Sequence, residues 1–296
     1  MKEKEIVLLV PGNWKQYELL DCGDFIKIEN FAGVITIRPE PQAIWRLSKP
    51  LEYWKKKAHW QFLPTGPQNG KWTSLNKAPE KWTIEYRPQG IQKAIKMRLS
   101  LTQFKHVGVF PEQAENWDYI VNITSHWTQP FKVLNLFAYT GGASLAAKLS
   151  GADVYHVDAI RQVVTWANEN QILTGVRDIR WVVEDAMKFV RRLKKREETF
   201  HGIIMDPPAF GHGPKGETWK LERDLRDLLD ITFDLLHPDK HFFIINTYSL
   251  GFSSVILHNL VKEKAGHAEN YEWGELGLKD AFGKILPLGV FARFYK

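Results

Sequence analysis

Ten residues from Val133 to Gly142, Val-Leu-Asn-Leu-Phe-Ala-Tyr-Thr-Gly-Gly, constrain this chain more than any other stretch. They read as an apolar strand that runs into a glycine-containing turn, and the small residues that follow begin a helix. A second apolar segment, residues 154–157, ends on Asp158, 17 residues after Gly141, and another acid opens Asp206-Pro-Pro-Ala-Phe210. Acids at the carboxyl ends of successive strands are what a doubly wound α/β sheet needs to bind a nucleoside. The turn lets the backbone approach the ligand, and Asp158 is placed to accept both hydroxyls of a ribose.

A pyrophosphate cradle wants G-x-G-x-x-G. Here only Gly141 and Gly142 are present, with Phe137, Ala138 and Thr140 in the other places. The missing third glycine argues against a nicotinamide oxidoreductase. A ligand without phosphate, carrying an amino-acid tail, asks less of the loop, and S-adenosylmethionine is such a ligand. The helix N-terminus would then face a carboxylate. A strand-turn-helix that binds nothing is the alternative for the turn alone; the spaced acids weigh against it.

From residue 127 onward, strand and helix patterns alternate. Strands are expected at residues 133–137, 154–157, 180–183, 202–205 and 242–246, with two closing strands near 271–276 and 289–294. Helices are expected at 143–149, 161–174 with Gly175 as stop, 186–196, and along the leucines from 221 to 236. This alternation predicts a mainly parallel sheet with helices on both faces. The amino-terminal part is β-rich, with strands at 25–29, 33–37, 82–87 and 96–101 among frequent prolines. The division falls into residues 1–110, a small β-rich module, and 111–296, an α/β domain.

The stretch from Val133 to Ser144, with Asp158, Asp185 and Asp206–Phe210, resembles the class I S-adenosylmethionine-dependent methyltransferases. More narrowly, it is similar to the large-subunit (23S) ribosomal RNA methyltransferases that carry a Leu-Asn-Leu-Phe-Ala-Tyr-Thr-Gly-Gly loop and an Asp-Pro-Pro-x-Phe motif. The resemblance covers residues 95–254, and residues 38–45 resemble the amino-terminal part of compact members. It implies a Rossmann-like seven-stranded sheet whose last strand is antiparallel. It also implies methyl transfer, with S-adenosylmethionine as cofactor and no metal. Relatives hold Phe-x-Asp-Gln-Arg where this chain reads Phe110-Pro-Glu-Gln-Ala114, so the arginine's contact is missing.

Within that frame Asn135, Phe137, Ala138, Tyr139, Thr140 and Gly141 are expected around the methionine end, although Asn135 has the alternative of satisfying backbone groups. Asp158 takes the ribose, its alternative being a helix cap. Asp185 accepts from the adenine amino group, with Glu184 as its competitor. Asp206, Pro207, Pro208 and Phe210 form the methyl-transfer site, and Asp206 is expected to touch the cofactor as well. Prolines lack N–H groups, so their carbonyls are expected to face a ligand without a competing local donor. Phe210 would stack on the target base, or else fill the core. Residues 211–216 read as a loop, either a lid carrying His212 and Lys215 or plain surface; Tyr248 and Ser249 are placed near the cleft by position only.

Charge and cysteine content narrow the function. The chain has 296 residues and a formal net charge of +6. Residues 49–98 hold 11 Lys/Arg against three Glu, together with Trp54, Trp60, Trp72 and Trp82. That mixture suits RNA, with lysines on phosphates and indoles on bases, or else a solvated face over a small tryptophan core. Cytosine carbon-5 methylation generally needs a cysteine. The sole one, Cys22, lies far from the motifs, which favours an amine or ring nitrogen as acceptor. The charged start, Met1-Lys-Glu-Lys-Glu5, argues against a signal peptide, no apolar run approaches membrane-spanning length, and a cytoplasmic location is expected. RNA, ribosomal above all, is the expected substrate; a protein or small-molecule substrate, or binding without catalysis, are the alternatives.

Overall fold

The computed structural model describes residues 5–296 except 13, 67–68, 129, 249–250, 266–267 and 269. Its amino-terminal part contains β1 (Val7–Leu9), β2 (Tyr17–Gly23), β3 (Ile26–Phe31), β4 (Val34–Pro39), α1 (Leu51–Lys57), β5 (Trp60–Pro64), β6 (Gly70–Ser74), β7 (Lys81–Tyr86) and β8 (Ile95–Ser100). Then follow α2 (Ala114–Thr124), β9 (Lys132–Leu136), α3 (Gly142–Leu149), β10 (Asp153–Asp158), α4 (Arg161–Thr174), β11 (Ile179–Val183), α5 (Ala186–Lys195) and β12 (Gly202–Met205). The remainder is β13 (Phe210–His212), β14 (Thr218–Lys220), α6 (Leu221–Asp234), β15 (Phe242–Thr247), α7 (Ser254–Ala265), β16 (Glu272–Lys279) and β17 (Ile285–Tyr295).

The large sheet runs β1-β16-β17-β15-β12-β9-β10-β11. Strands β15, β12, β9, β10 and β11 are mutually parallel, and β17 is antiparallel to both neighbours. The seven expected strands are therefore present, and β1 adds an eighth at the β16 edge. Every residue of β12 and β15 is buried, as expected of strands covered on both faces. One face packs Phe189, Val190 and Leu193 of α5 with the leucines of α6 and with Leu257 and Val261 of α7. The other packs Trp117 and Ile120 of α2 with Leu145, Ala146 and Ala147 of α3.

A five-stranded sheet, β2-β3-β4-β5-β6, forms the small module, and β7 and β8 make a separate hairpin. That hairpin packs into the core beneath α2 and α3 through Ile84, Tyr86, Ile95, Met97 and Leu99. Side chains of α4 satisfy the outer edge of β8: Lys96 N–H donates to Thr174 Oγ1 (3.0 Å) and Arg98 N–H to Asn170 Oδ1 (2.8 Å). An edge strand capped in this way offers no row of free donors.

The tryptophans of residues 49–98 are not a stacking surface. Trp54 and Trp60 are buried, and all four indole N–H groups are spent inside the protein. Trp54 donates to Asp21 (2.9 Å), Trp60 to the Pro79 carbonyl (3.3 Å), Trp72 to that of Thr102 (2.9 Å) and Trp82 to that of Phe31 (3.0 Å). A small module has little apolar area to bury, and large aromatics supply it. The basic residues fare differently: Lys56, Lys57, Lys71, Lys77, Lys81, Arg87 and Lys93 are exposed.

Candidate active site

A cavity of about 960 Å³ opens at the carboxyl ends of β9 to β12. The loop after β9 is built on alternate left-handed residues, Phe137 (φ 55°), Tyr139 (φ 49°) and Gly141 (φ 91°). Two of these are not glycine, a costly arrangement that persists where surrounding bonds enforce it. Those bonds are visible: Ala138 N–H donates to the Val157 carbonyl (3.1 Å), and Tyr139 N–H to Asp158 Oδ2 (3.0 Å). Gly142 begins α3 where any Cβ would lie 2.3 Å from the Trp117 ring, so helix and neighbour approach through its missing side chain.

Asp158 also accepts from Ile160 N–H through Oδ1 (2.9 Å). Burial nonetheless holds its carboxyl above the usual range, because the backbone donors of Tyr139, Ala159 and Ile160 only partly replace water. Each oxygen retains a lone pair for a further donor. Asp185 caps α5, with Oδ1 accepting from Lys188 N–H (2.9 Å). Glu184 is engaged by Arg192 in a bidentate pair at 2.8 and 2.6 Å. Both acids line the cavity, but Asp185 keeps an oxygen without a donor among the described residues, whereas both of Glu184's oxygens are taken.

Phe137, Tyr139, Asp158 and Asp185 lie in the cavity wall; Asn135, Ala138, Thr140 and Gly141 do not. Asn135 Nδ2 donates to Ser144 Oγ (2.9 Å), which meets His156 Nδ1 at 3.0 Å. Burial pushes the His156 imidazole down to about 3, leaving it neutral. Thr140 Oγ1 donates to the Gly108 carbonyl (2.7 Å). The inward side chains thus brace the loop from behind.

Asp206, Pro207, Pro208 and Phe210 all line the cavity. Burial, with the charge of Glu112, raises the Asp206 carboxyl well above its usual value. The Pro208 carbonyl is not free of local donors: it accepts from Trp219 Nε1 at 2.6 Å. Trp219 also packs on Phe137 (ring centroids 5.2 Å), tying the proline motif to the glycine loop. Residues 210–220 form a hairpin of β13 and β14 rather than a plain loop. Its tip is clasped to α5 by a Lys188–Glu217 ion pair. Phe210 is half-exposed, edge-on to His212 at 4.9 Å, and so is not core filling. Ser249 lies outside the described residues.

The opposite wall holds residues to which the sequence reading gave no role in the site. Glu112 is 2 % exposed, and burial raises its carboxyl. Phe110 packs between Tyr139 (5.3 Å) and Tyr248 (5.7 Å). Lys27, paired with Glu40 at 3.2 Å, is contributed by the small module, as is Arg38, which is paired with Glu29. Cys22 is not in the wall: it sits 3.6 Å from Asp280 Oδ2, with its thiol pushed up to about 12 by burial and that acid. A thiol so placed is no nucleophile. Among the described residues, no group of acids, histidines and cysteine is arranged to hold a metal ion, and no helix is long and apolar enough to cross a membrane.

The donor set fits S-adenosylmethionine. It offers carboxylates with spare lone pairs at two successive strand ends and a loop held open in left-handed conformation. An aromatic wall and further acid charge stand by for a ligand that carries a sulfonium and an ammonium.

A family model described as S-adenosylmethionine-dependent methyltransferase matches residues 70–270. The crystal structure of a SAM-dependent methyltransferase from Agrobacterium tumefaciens superposes with a TM-score of 0.90 at 36 % identity, covering 97 % of this chain and 93 % of that one. A ribosomal RNA large subunit methyltransferase K/L from Shewanella baltica is 31 % identical over 229 residues, 73 % of this chain and 30 % of the relative. The ribosomal RNA large subunit methyltransferase I of Aeromonas salmonicida is 27 % identical over 161 residues, 53 % of this chain and 39 % of the relative. The chain thus matches only about three to four tenths of the length of these curated relatives.

Proposed function

Because the chain belongs to the S-adenosylmethionine-dependent methyltransferase family, we propose that it methylates an amine or ring nitrogen of a base in structured RNA, ribosomal RNA in the first place. The observation that carries the base reading is Phe210, a half-exposed ring on the cavity wall beside Asp206-Pro-Pro. An aromatic face there offers stacking to an unpaired base. Exposed lysines on residues 1–110 offer phosphate contacts, and the curated relatives bear ribosomal RNA names. The same reading divides the chain into residues 1–110 as the RNA-facing module and 111–296 as the methyltransferase domain, acting in the cytoplasm.

S-adenosylmethionine supplies a methyl group already activated on a sulfonium, so the protein's task is placement and exclusion of water. In our reading Asp158 accepts the ribose hydroxyls and Asp185 the adenine amino group. Phe137 and Tyr139 flank the methionine end, while Asn135, Ala138, Thr140 and Gly141 keep the loop in shape. Asp206 accepts an N–H of the acceptor, the Pro207–Pro208 backbone holds it rigid, and Phe210 covers it. Cys22, outside the wall, takes no part, which leaves a nitrogen with its own lone pair as acceptor.

The test uses tritiated S-adenosylmethionine and extract from a strain lacking the gene, separated into RNA, protein and small molecules. Label in RNA, lost with Asp206→Ala, is the expected result. Label in protein or small molecules alone overturns the RNA reading.

A further inference from the structure

We propose that Glu112 and Asp206 together form the seat of the nitrogen that receives the methyl group, with Tyr248 and Gln113 fixing Glu112 in place. The inference rests on reading the cavity as the methyl-transfer site, and it adds a residue from outside the proline motif.

The geometry has three parts. Glu112 begins the turn before α2 and is nearly inaccessible, yet it belongs to the cavity wall with Asp206. Gln113 Nε2 donates to the Tyr248 hydroxyl at 2.8 Å, and that hydroxyl hydrogen-bonds the Glu112 carboxyl. Since the hydroxyl accepts from the amide, its own proton points to the carboxylate. The network continues behind: Gln113 Oε1 accepts from Asn116 Nδ2 (3.0 Å), and Asn116 is bonded in turn to Asn246 (3.0 Å) and Arg293 (3.2 Å). Glu112 is therefore held in a fixed orientation by a buried chain anchored on α2, β15 and β17.

Asp206 has no such partner. Its carboxylate accepts no hydrogen bond from the described residues, and Glu112 is the charge that acts on it. Lys27, whose field reaches Glu112, is already paired with Glu40. Two carboxylates held out of water with no cation of their own suit a ligand that brings N–H donors and positive charge. A neutral acceptor amine brings the N–H donors and gains the positive charge as the methyl group arrives. As its lone pair forms the new N–CH3 bond, the S–CH3 bond breaks with its electron pair staying on sulfur. The nitrogen is left positively charged, with a proton to lose. Asp206, the more basic of the two because it lacks a donor and faces Glu112, takes that proton and later yields it to solvent. Glu112 stabilises the charge as it develops, by preorganised electrostatics.

A pair of probes isolates the claim without any RNA. S-adenosylhomocysteine has a bare thioether sulfur between its ribose and amino-acid arms, whereas sinefungin has there a carbon that bears an amine in the place of the donor's methyl; the two arms are shared. Calorimetry should find sinefungin bound about tenfold more tightly than S-adenosylhomocysteine by the parent, the scale of a charge-assisted hydrogen bond. Glu112→Gln should bring the two within about twofold while leaving S-adenosylhomocysteine affinity unchanged. Tyr248→Phe, which frees Glu112, should shift the ratio the same way by a few-fold and serves if the first variant fails to fold. Equal affinities in the parent overturn the proposal. So does an equal loss of both ligands in Glu112→Gln, which would place Glu112 on the ammonium tail that they share. Failure of both ligands to bind the parent overturns the cavity reading itself.

Discussion

At Asp158 a single carboxylate both clamps the strained loop, through Tyr139 N–H, and presents its remaining lone pairs to the cavity. Removing it costs hydrogen bonds to a charged group, roughly 1.5–3 kcal/mol. Asp158→Ala should therefore weaken S-adenosylhomocysteine binding about 10- to 100-fold by calorimetry; unchanged affinity would remove its ribose role. His156 behaves oppositely, as a group kept out of solvent and out of the chemistry. Its folded pKa is depressed to about 3, whereas an unfolded imidazole takes up a proton near pH 6.5. The stability it confers is thus present above about pH 6.5 and lost as pH falls toward 3, close to 1.4 kcal/mol per pH unit in that window. Between pH 7 and 5, the urea stability of the parent should fall by about 2 kcal/mol more than that of His156→Asn. Equal slopes would show that the buried imidazole is protonated in the native state.

At the scale of elements, the β13–β14 hairpin is the piece that joins two motifs. Trp219 bonds the Pro208 carbonyl and packs on Phe137, so Trp219→Phe keeps the packing and removes the bond. We expect methyl transfer to fall about tenfold, with cofactor affinity shifting less than twofold, consistent with loss of one buried hydrogen bond at the acceptor side. A drop in cofactor affinity of equal size would place the bond on the cofactor side. This hairpin was illegible in the sequence because Gly211, Gly213, Pro214 and Gly216 give a loop composition; only the pairing of Phe210 with Lys220 reveals strands. The alternating half was legible because each strand carries its own apolar run and delivers a chemical group at its carboxyl end. Helix α7 was missed: its exposed Val255 and Ile256 blur the stripe made by Leu257 and Val261. Glu112 was passed over for a different reason. It stands in the Phe110–Ala114 pattern, but its partners Asp206 and Tyr248 lie far along the chain, and that pattern does not record their meeting. The tryptophans misled because composition cannot say which way an indole faces.

Across the whole molecule, the small module is fastened to the large sheet through Lys284, in the turn between β16 and β17. Its ammonium reaches Asp21 Oδ1 (2.8 Å), the Cys22 carbonyl (2.6 Å) and Asp280 (3.4 Å). Both acids are buried, and their removal from water is tolerated because that cation is present. Lys284→Met should cost about 3 kcal/mol, read as a lowered midpoint in urea, and a change below 0.5 kcal/mol would make the contact incidental. On the outer surface, replacing Lys56, Lys71, Lys77 and Lys81 by Gln should weaken ribosomal RNA binding and flatten its log–log salt dependence by roughly 0.7 for each lysine on a phosphate. An unchanged slope would move the RNA surface elsewhere.

Strand β1 aligns residues 7–9 with residues 274–276 of β16, the longest separation in sequence that any strand pairing spans among the described residues. Strand β1 is synthesised well before β16, which is itself held in place by β17. Val7, Leu8 and Leu9 must therefore wait, unpaired, through synthesis of the whole methyltransferase sheet. Pairings so distant form slowly, and a waiting apolar strand invites adoption by another chain. Docking of β1 thus depends on a partner made more than two hundred residues later in the chain.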